Sequence, residues 1–136
     1  MKTKVGFGII GAGMIAELHA RTIRQLDNTE LIGFYDANYA AAQKRAEQSG
    51  CKAYAKFEDF LADPAIEAVT IATPSGMHGA VAIPAAKAGK HILCEKPLEI
   101  TLDKVDAVIR ACDENNVLLS PVFQSRFTKP DRKSVV

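Results

Sequence analysis

The chain has 136 residues, of which 48% are hydrophobic and 7% aromatic, and its formal net charge is +1. This length supports one aliphatic core but hardly two, and the low charge provides no field for binding nucleic acid. The three cysteines are widely spaced and form no CxxC pair. They therefore favour free thiols in a reducing compartment over disulfide bonds or a metal site.

The N-terminal segment superficially resembles a secretory signal, because two lysines precede a mostly apolar stretch. However, the glycines between Gly6 and Gly13 make a poor hydrophobic helix, and charged residues follow where a small-residue cleavage site would stand. No apolar stretch approaches the roughly 20 residues needed to span a bilayer. The sequence therefore predicts a cytoplasmic protein with no membrane partner.

The first predicted strand, from Lys4 to Ile10, runs into a glycine-rich turn and then into a helix that extends to Leu26. The apolar residues at helical spacing in this helix are Ile15, Leu18, Ile23 and Leu26. A strand, a glycine turn and a helix in this order are typical of the start of a dinucleotide-binding fold.

The turn itself has the pattern G-x-G-x-x-A. Gly11 would permit a tight turn, Gly13 would let a pyrophosphate approach the backbone, and Ala16 would let the helix pack closely on the strand. The free N–H groups at the helix start, at Met14 and Ile15, would then face the phosphates. Glycine-rich turns of this kind also occur where no ligand binds, so the hexapeptide alone leaves both interpretations open.

The second predicted strand, Glu30 to Asp36, ends in a carboxylate about 20 residues beyond Ala16. A dinucleotide-binding fold needs an acceptor for the ribose hydroxyls at this point. An unphosphorylated 2′-OH, and hence NAD rather than NADP, is therefore favoured. The alternative is that Asp36 caps the next helix or stabilises the turn before it.

Strand and helix patterns keep alternating along the rest of the chain, which is typical of βαβ units on a parallel sheet. Helices are predicted at 38–49, 57–63, 78–88 and 102–114, and strands at 51–54, 68–71, 91–94 and 117–120, with a resumption of the last strand at 122–123 left open. Pro84 should kink or break the third of these helices. The predicted apolar stripe of the last helix is Leu102, Val105, Val108, Ile109 and Cys112. These elements predict a doubly wound parallel α/β sheet with the Rossmann strand order 3-2-1-4-5-6.

The loop from Ala72 to Gly76 follows the carboxyl end of the fourth predicted strand. In open α/β sheets, ligands bind outside the carboxyl ends of the strands, where the strand order switches. This loop is therefore the first place to look for the nicotinamide half of the cofactor.

Five segments, taken together and in order, indicate a protein family more specifically than any one of these motifs does. They are GIIGAGMIA at 8–16, YD at 35–36, ATPSGMH at 72–78, AGKHILCEKPLEIT at 88–101 and FQSRF at 123–127. In this order they resemble the Gfo/Idh/MocA family of oxidoreductases, and the resemblance covers nearly the whole chain. It implies an N-terminal Rossmann domain and hydride transfer between NAD or NADP and a carbinol of a sugar, inositol or related polyol.

The resemblance also implies roles for individual residues. The implied cofactor-binding set is Gly11, Gly13, Met14, Ile15, Asp36, Thr73, Pro74, His78, Glu95, Lys96, Pro97 and Gln124, with Arg126 near the active-site cleft. Lys96 would also be the catalytic lysine, because an ammonium group stabilises the alkoxide that develops on a carbinol oxygen. The alternatives are a solvated Lys96 paired with Glu95, and a His78 that is only a polar residue at a helix start.

The family has a second, substrate-binding domain, and nothing after Phe127 resembles it. We expect residues 1–123 to form the dinucleotide-binding domain and residues 124–136 to begin a polar linker. Three hypotheses stay open: the cofactor part of a longer dehydrogenase, inactive by itself; a free-standing NAD-binding sensor or scaffold; and a subunit that regains a substrate site by oligomerising. Apolar surface normally covered by a second domain would also favour a homo-oligomer.

Overall fold

The computed structural model describes residues 4–73, 78–95 and 102–122, and these form alternating strands and helices. The strands are β1 (Val5–Ile10), β2 (Thr29–Tyr35), β3 (Lys52–Tyr54), β4 (Ala68–Ile71), β5 (His91–Glu95) and β6 (Leu119–Val122). The helices are α1 (Met14–Gln25), α2 (Tyr39–Ser49), α3 (Phe57–Ala62), α4 (His78–Lys87) and α5 (Leu102–Glu114). Neighbouring strands pair in parallel in the order β3-β2-β1-β4-β5-β6, which confirms the predicted Rossmann sheet.

Helices cover both faces of the sheet and form two separate cores. One core packs α1 and α2 against β1 and β2, and the other packs α3, α4 and α5 on the opposite face. Ile9 and Ile10 are adjacent in β1 but enter different cores, because successive side chains of a strand point to opposite faces. The sheet is therefore doubly wound.

The face by which α1 packs on the sheet differs from the predicted one. Of the predicted apolar residues only Ile23 is buried, and it lies beside Ala16 and Ala20, whereas Leu18 is 50% exposed. Small side chains face the sheet because a helix that follows a tight turn must approach the strand closely. The larger apolar residues that remain exposed on α1 are Met14, Ile15 and Leu18.

Two further details of the helices differ from the expectations. Of the kink or break expected at Pro84, the break does not occur, because helix α4 continues to Lys87. Proline removes only one backbone donor, and bonds after it persist, such as that from Ala88 N–H to the Pro84 carbonyl at 3.0 Å. In α5, Ile109 is 42% exposed, while Ala111 faces the core instead.

A charged cluster lies at the amino ends of β4 and β5. The Lys90 ammonium is buried there and donates to the carbonyl oxygens of Asp63 (3.0 Å) and Ile66 (2.6 Å). Burial lowers the pKa of Lys90, whereas hydrogen bonds from the Tyr54 hydroxyl and the Ala65 N–H hold the pKa of Asp63 below its usual value. These groups join β3, β5 and the segment before β4, so we assign the cluster a structural role.

Candidate cofactor site

Three neighbouring strands end side by side at the opposite edge of the sheet. Ile10 of β1 is in register with Tyr35 of β2 and with the last residue of β4. Beyond the strands, Gly11 N–H donates to the Tyr35 carbonyl and Ala72 N–H donates to the Ile10 carbonyl, each at 2.8 Å. The glycine turn, Asp36 and the loop that begins at Ala72 therefore start from one edge.

Gly11 is held where no other residue fits. Its φ is +114°, and a Cβ there would lie 2.8 Å from the Ala72 carbonyl oxygen and 3.3 Å from the Thr73 nitrogen. An L side chain is strained at such a φ, and the backbone of the neighbouring loop leaves it no room. The predicted tight turn is thus imposed by backbone conformation and by contact between two loops.

Gly13 has a different environment. Its φ of −86° and ψ of −162° are open to any residue. A Cβ built there meets no described atom within 4 Å. The described residues therefore give no internal reason for glycine at this position, and its effect is to leave the backbone open to approach from outside.

The first turn of α1 presents main-chain donors beside this opening that have no acceptor within the helix. Gly13 is the N-cap and has no side-chain oxygen, and the first helical bond runs from Glu17 N–H to the Gly13 carbonyl at 3.2 Å. The N–H groups of Met14, Ile15 and Ala16 precede that bond and have no partner within the helix. Donors of this kind, at the positive end of a helix dipole, attract anions.

Asp36 comes directly after β2. Its Oδ1 accepts a hydrogen bond from the Asn38 N–H at 2.8 Å, which stabilises the turn. The N-cap of α2 is Asn38, whose side chain accepts from the Ala41 N–H at 3.4 Å. Asp36 is therefore not the helix cap, and its Oδ2 accepts no hydrogen bond from the described residues.

Arg45 of α2 was missed by the sequence analysis. Its Nε donates to the Ala12 carbonyl of the glycine turn at 3.0 Å, and its Nη1 lies 3.4 Å from Oε2 of Glu17. The contact joins residues that are 33 positions apart, so no local pattern indicates it.

The remaining predicted residues lie after β4, on α4 and β5, or outside the described ranges. Thr73 is half-buried just after β4, and only the main chain is described for His78, which begins α4, and Glu95, which ends β5. Since Cys94 pairs with the last residue of β4, Glu95 reaches the same edge as the glycine turn. The predicted residues outside the described ranges are Pro74, Lys96, Pro97, Gln124 and Arg126.

With this geometry established, comparison with known proteins identifies the family. Residues 5–123 match the profile of the Gfo/Idh/MocA oxidoreductase family, NAD-binding Rossmann fold. The chain belongs to this family. The resemblance seen in the sequence is thereby confirmed. Packing within the described residues does not require glycine at position 13, and NAD binding by the family's Rossmann fold supplies a reason for it.

Relatives of this Rossmann domain are similar over most of its length. Myo-inositol 2-dehydrogenase of Thermotoga maritima is 32% identical over 93% of this chain, and glucose-6-phosphate 3-dehydrogenase of Bacillus subtilis is 33% identical over 88% of it. The WlbA dehydrogenase of Bordetella pertussis, solved with NADH and UDP-GlcNAcA, is 34% identical over 96% of this chain with a TM-score of 0.90. The chain spans 38%, 34% and 40% of the length of these three proteins, respectively.

The described part of this family member offers main-chain donors and the carboxylate of Asp36 at its site. Among the described histidine, cysteine, aspartate and glutamate residues, no group is placed to hold a metal ion. No helix in residues 4–73, 78–95 and 102–122 has both the length and the apolar character needed to cross a bilayer. The described residues at this edge can bind an anion through their N–H groups and can accept hydrogen bonds from hydroxyls at Asp36.

Proposed function

We propose that this chain is the NAD-binding domain of an oxidoreductase that transfers a hydride between nicotinamide and a carbinol of a sugar, inositol or related polyol. The observation that carries the proposal is the open backbone at Gly13 beside the free N–H groups of Met14 and Ile15. The substrate class is supported by the named activities of the relatives, which act on myo-inositol and on glucose 6-phosphate.

In this proposal each part of the edge contacts one part of the cofactor. The N–H groups of Met14 and Ile15 bind the pyrophosphate, and Oδ2 of Asp36 accepts the adenosine ribose hydroxyls. The residues proposed for the nicotinamide side are Thr73, Pro74, His78, Glu95, Pro97 and Gln124. We favour NAD over NADP because the Asp36 carboxylate would repel a 2′-phosphate.

Lys96 is the proposed catalytic residue. A bound nicotinamide would supply the acceptor for a hydride from the carbinol carbon, and the hydroxyl proton would pass to a base outside residues 1–123 as the carbonyl forms. The Lys96 ammonium stabilises the developing alkoxide oxygen, and in the reverse direction it donates a hydrogen bond to the carbonyl. We propose residues 1–123 as the cofactor domain, residues 124–136 as the start of a linker, and groups beyond 1–123 as the source of the substrate pocket.

We expect NAD to stabilise the folded chain. A ligand that binds only the native state at about 100 times its dissociation constant raises the free energy of unfolding by roughly 2.7 kcal/mol. Urea unfolding at increasing NAD concentration measures this effect, with adenosine as a control that lacks the pyrophosphate. If neither NAD nor NADP raises the free energy of unfolding, the proposed function is wrong.

We expect Asp36→Asn to weaken NAD binding about tenfold and to leave NADP binding unchanged or tighter. The asparagine Oδ1 can still accept from the Asn38 N–H, so the turn is retained while the charge and the ribose acceptor are lost. Titration calorimetry with both cofactors measures the ratio of the affinity for NAD to the affinity for NADP. Asp27→Asn, the same charge change at an exposed position, is the matched control. If Asp36→Asn left this ratio of affinities unchanged, the only role of Asp36 would be to stabilise the turn through its bond from the Asn38 N–H.

A further inference from the structure

Arg45 holds the glycine turn from the side of α2. We infer that it is a positioning residue for the pyrophosphate site: it fixes the peptide between Ala12 and Gly13 so that the Gly13 N–H becomes a further donor to the phosphates. The inference rests on the proposed function and assigns a role at the same site to a residue on a different helix.

The direction of the Gly13 N–H follows from peptide geometry. In a planar trans peptide, the carbonyl of one residue and the N–H of the next point in opposite directions. The Ala12 carbonyl points toward α2, where it accepts from Nε of Arg45 at 3.0 Å. The Gly13 N–H must therefore point away from α2, which adds a donor beside those of Met14 and Ile15.

The turn needs such an anchor because it is locally permissive. The peptide joins Ala12 to Gly13, and Gly11 precedes it; glycine restricts its neighbouring peptide planes less than any other residue. The Gly11 N–H bond to β2 fixes one side of the turn. The bond from Arg45 to Ala12 fixes the other side, and it is the one that determines where the Gly13 N–H points.

The same guanidinium offsets an unfavourable charge. Glu17, in the first turn of α1, places a carboxylate close to a site proposed for an anion. Nη1 of Arg45 lies 3.4 Å from Oε2 of Glu17, and Arg21 lies 3.7 Å from Oε1. The Arg21 side chain is 61% exposed and that of Arg45 only 23%, so solvent screens the Arg45 pair less. A planar guanidinium can bind the Ala12 carbonyl and Glu17 together, whereas a lysine ammonium cannot match both directions.

The test compares ligands with and without a pyrophosphate. NAD and adenosine are titrated against the wild-type chain, Arg45→Lys, Arg45→Ala and Lys44→Ala. We expect Arg45→Lys to weaken NAD about tenfold and adenosine less than about twofold, because only NAD uses the phosphate donors. Arg45→Ala should weaken NAD binding more, since Glu17 then keeps only its pair with the more exposed Arg21. Lys44→Ala removes the same charge from the same helix without touching the turn and should bind NAD within about twofold of wild type.

A double variant separates the two effects of Arg45. Combining Glu17→Gln with Arg45→Ala removes the Glu17 carboxylate but does not restore the bond to Ala12. We expect it to recover NAD binding only to the level of Arg45→Lys. Full recovery to wild-type affinity would show that charge compensation alone explains the effect, and it would overturn the positioning role.

An amide signal reports the orientation directly. In the wild-type chain, the Gly13 N–H proton resonance should move downfield when NAD binds, and this shift should be much smaller in Arg45→Lys at saturating NAD. Unchanged NAD affinity in both Arg45 variants, or equal losses for NAD and adenosine, would overturn the inference. A wild-type chain that binds no NAD would overturn the proposed function, and this inference with it.

Discussion

Replacing Gly13 with alanine should weaken NAD binding at least tenfold while leaving the chain folded. In the protein without ligand, the new methyl group meets no described atom within 4 Å, and the φ of −86° suits alanine as well as glycine. The cost to folding is that alanine is a poorer N-cap than glycine, about 1 kcal/mol or less. In the complex the methyl group would occupy the space through which the pyrophosphate approaches, so we expect NAD affinity to fall at least tenfold, which corresponds to about 1.4 kcal/mol.

Two measurements test this expectation: the free energy of unfolding in urea and the dissociation constant for NAD. Gly50→Ala is the matched control. Gly50 is the C-cap of α2, and a Cβ built there also meets no described atom within 4 Å, but its φ is +70°. That variant should lose about 1 kcal/mol of stability and keep its affinity for NAD. Wild-type affinity in Gly13→Ala would mean that no ligand approaches the backbone there, and the proposed pyrophosphate site would be lost.

The sequence was sufficient to predict the sheet because every level of its pattern agreed. Short apolar runs alternate with helical periodicity, and parallel strands joined by helices leave few allowed topologies. The six strands and their order follow from this consistency. The residues at the carboxyl edge follow too, since Gly11, Asp36 and Ala72 each come directly after a strand that was correctly placed.

The side chains that pack α1 on the sheet were predicted only in part: Ile23 follows from helical periodicity and Ala16 from the glycine-turn motif, but Ala20 follows from neither. Periodicity gives weight to large apolar residues and therefore favoured Leu18, whereas the buried positions beside β1 are Ala16 and Ala20. Only small side chains fit between α1 and β1, because the helix lies close to the strand after a two-glycine turn. Hydrophobic patterns carry little information about how close two elements approach.

Contacts between distant parts of the chain were also invisible in the sequence. Asp36 and Asn38 are both able to cap a helix, and only the structure shows that Asn38 does so. Arg45 lies among ordinary helix residues, and its contact with Ala12 depends on how α2 packs beside α1. Lys96, Pro97 and Gln124 lie outside the described residues, so their assignments remain predictions.

Replacing Gly11 with alanine should have the opposite balance of effects, with a large loss of stability in the absence of any ligand. An alanine would have to adopt a φ of +114°, and its Cβ would lie 2.8 Å from the backbone oxygen of Ala72, which no side-chain rotation can relieve. Strain and overpacking together should lower the free energy of unfolding by roughly 2–4 kcal/mol.

The same urea unfolding experiment checks this result, with Gly13→Ala as the comparison. NAD affinity should also fall in Gly11→Ala, because the turn can relax only by moving the peptide that Arg45 holds. Comparison of the two variants then separates the contribution of the turn to the free energy of unfolding from its contribution to NAD affinity. If Gly11→Ala were as stable as Gly13→Ala, the loops at Gly11 and Ala72 would have to move apart easily, and the edge would not be the rigid site on which anion binding by fixed N–H groups depends.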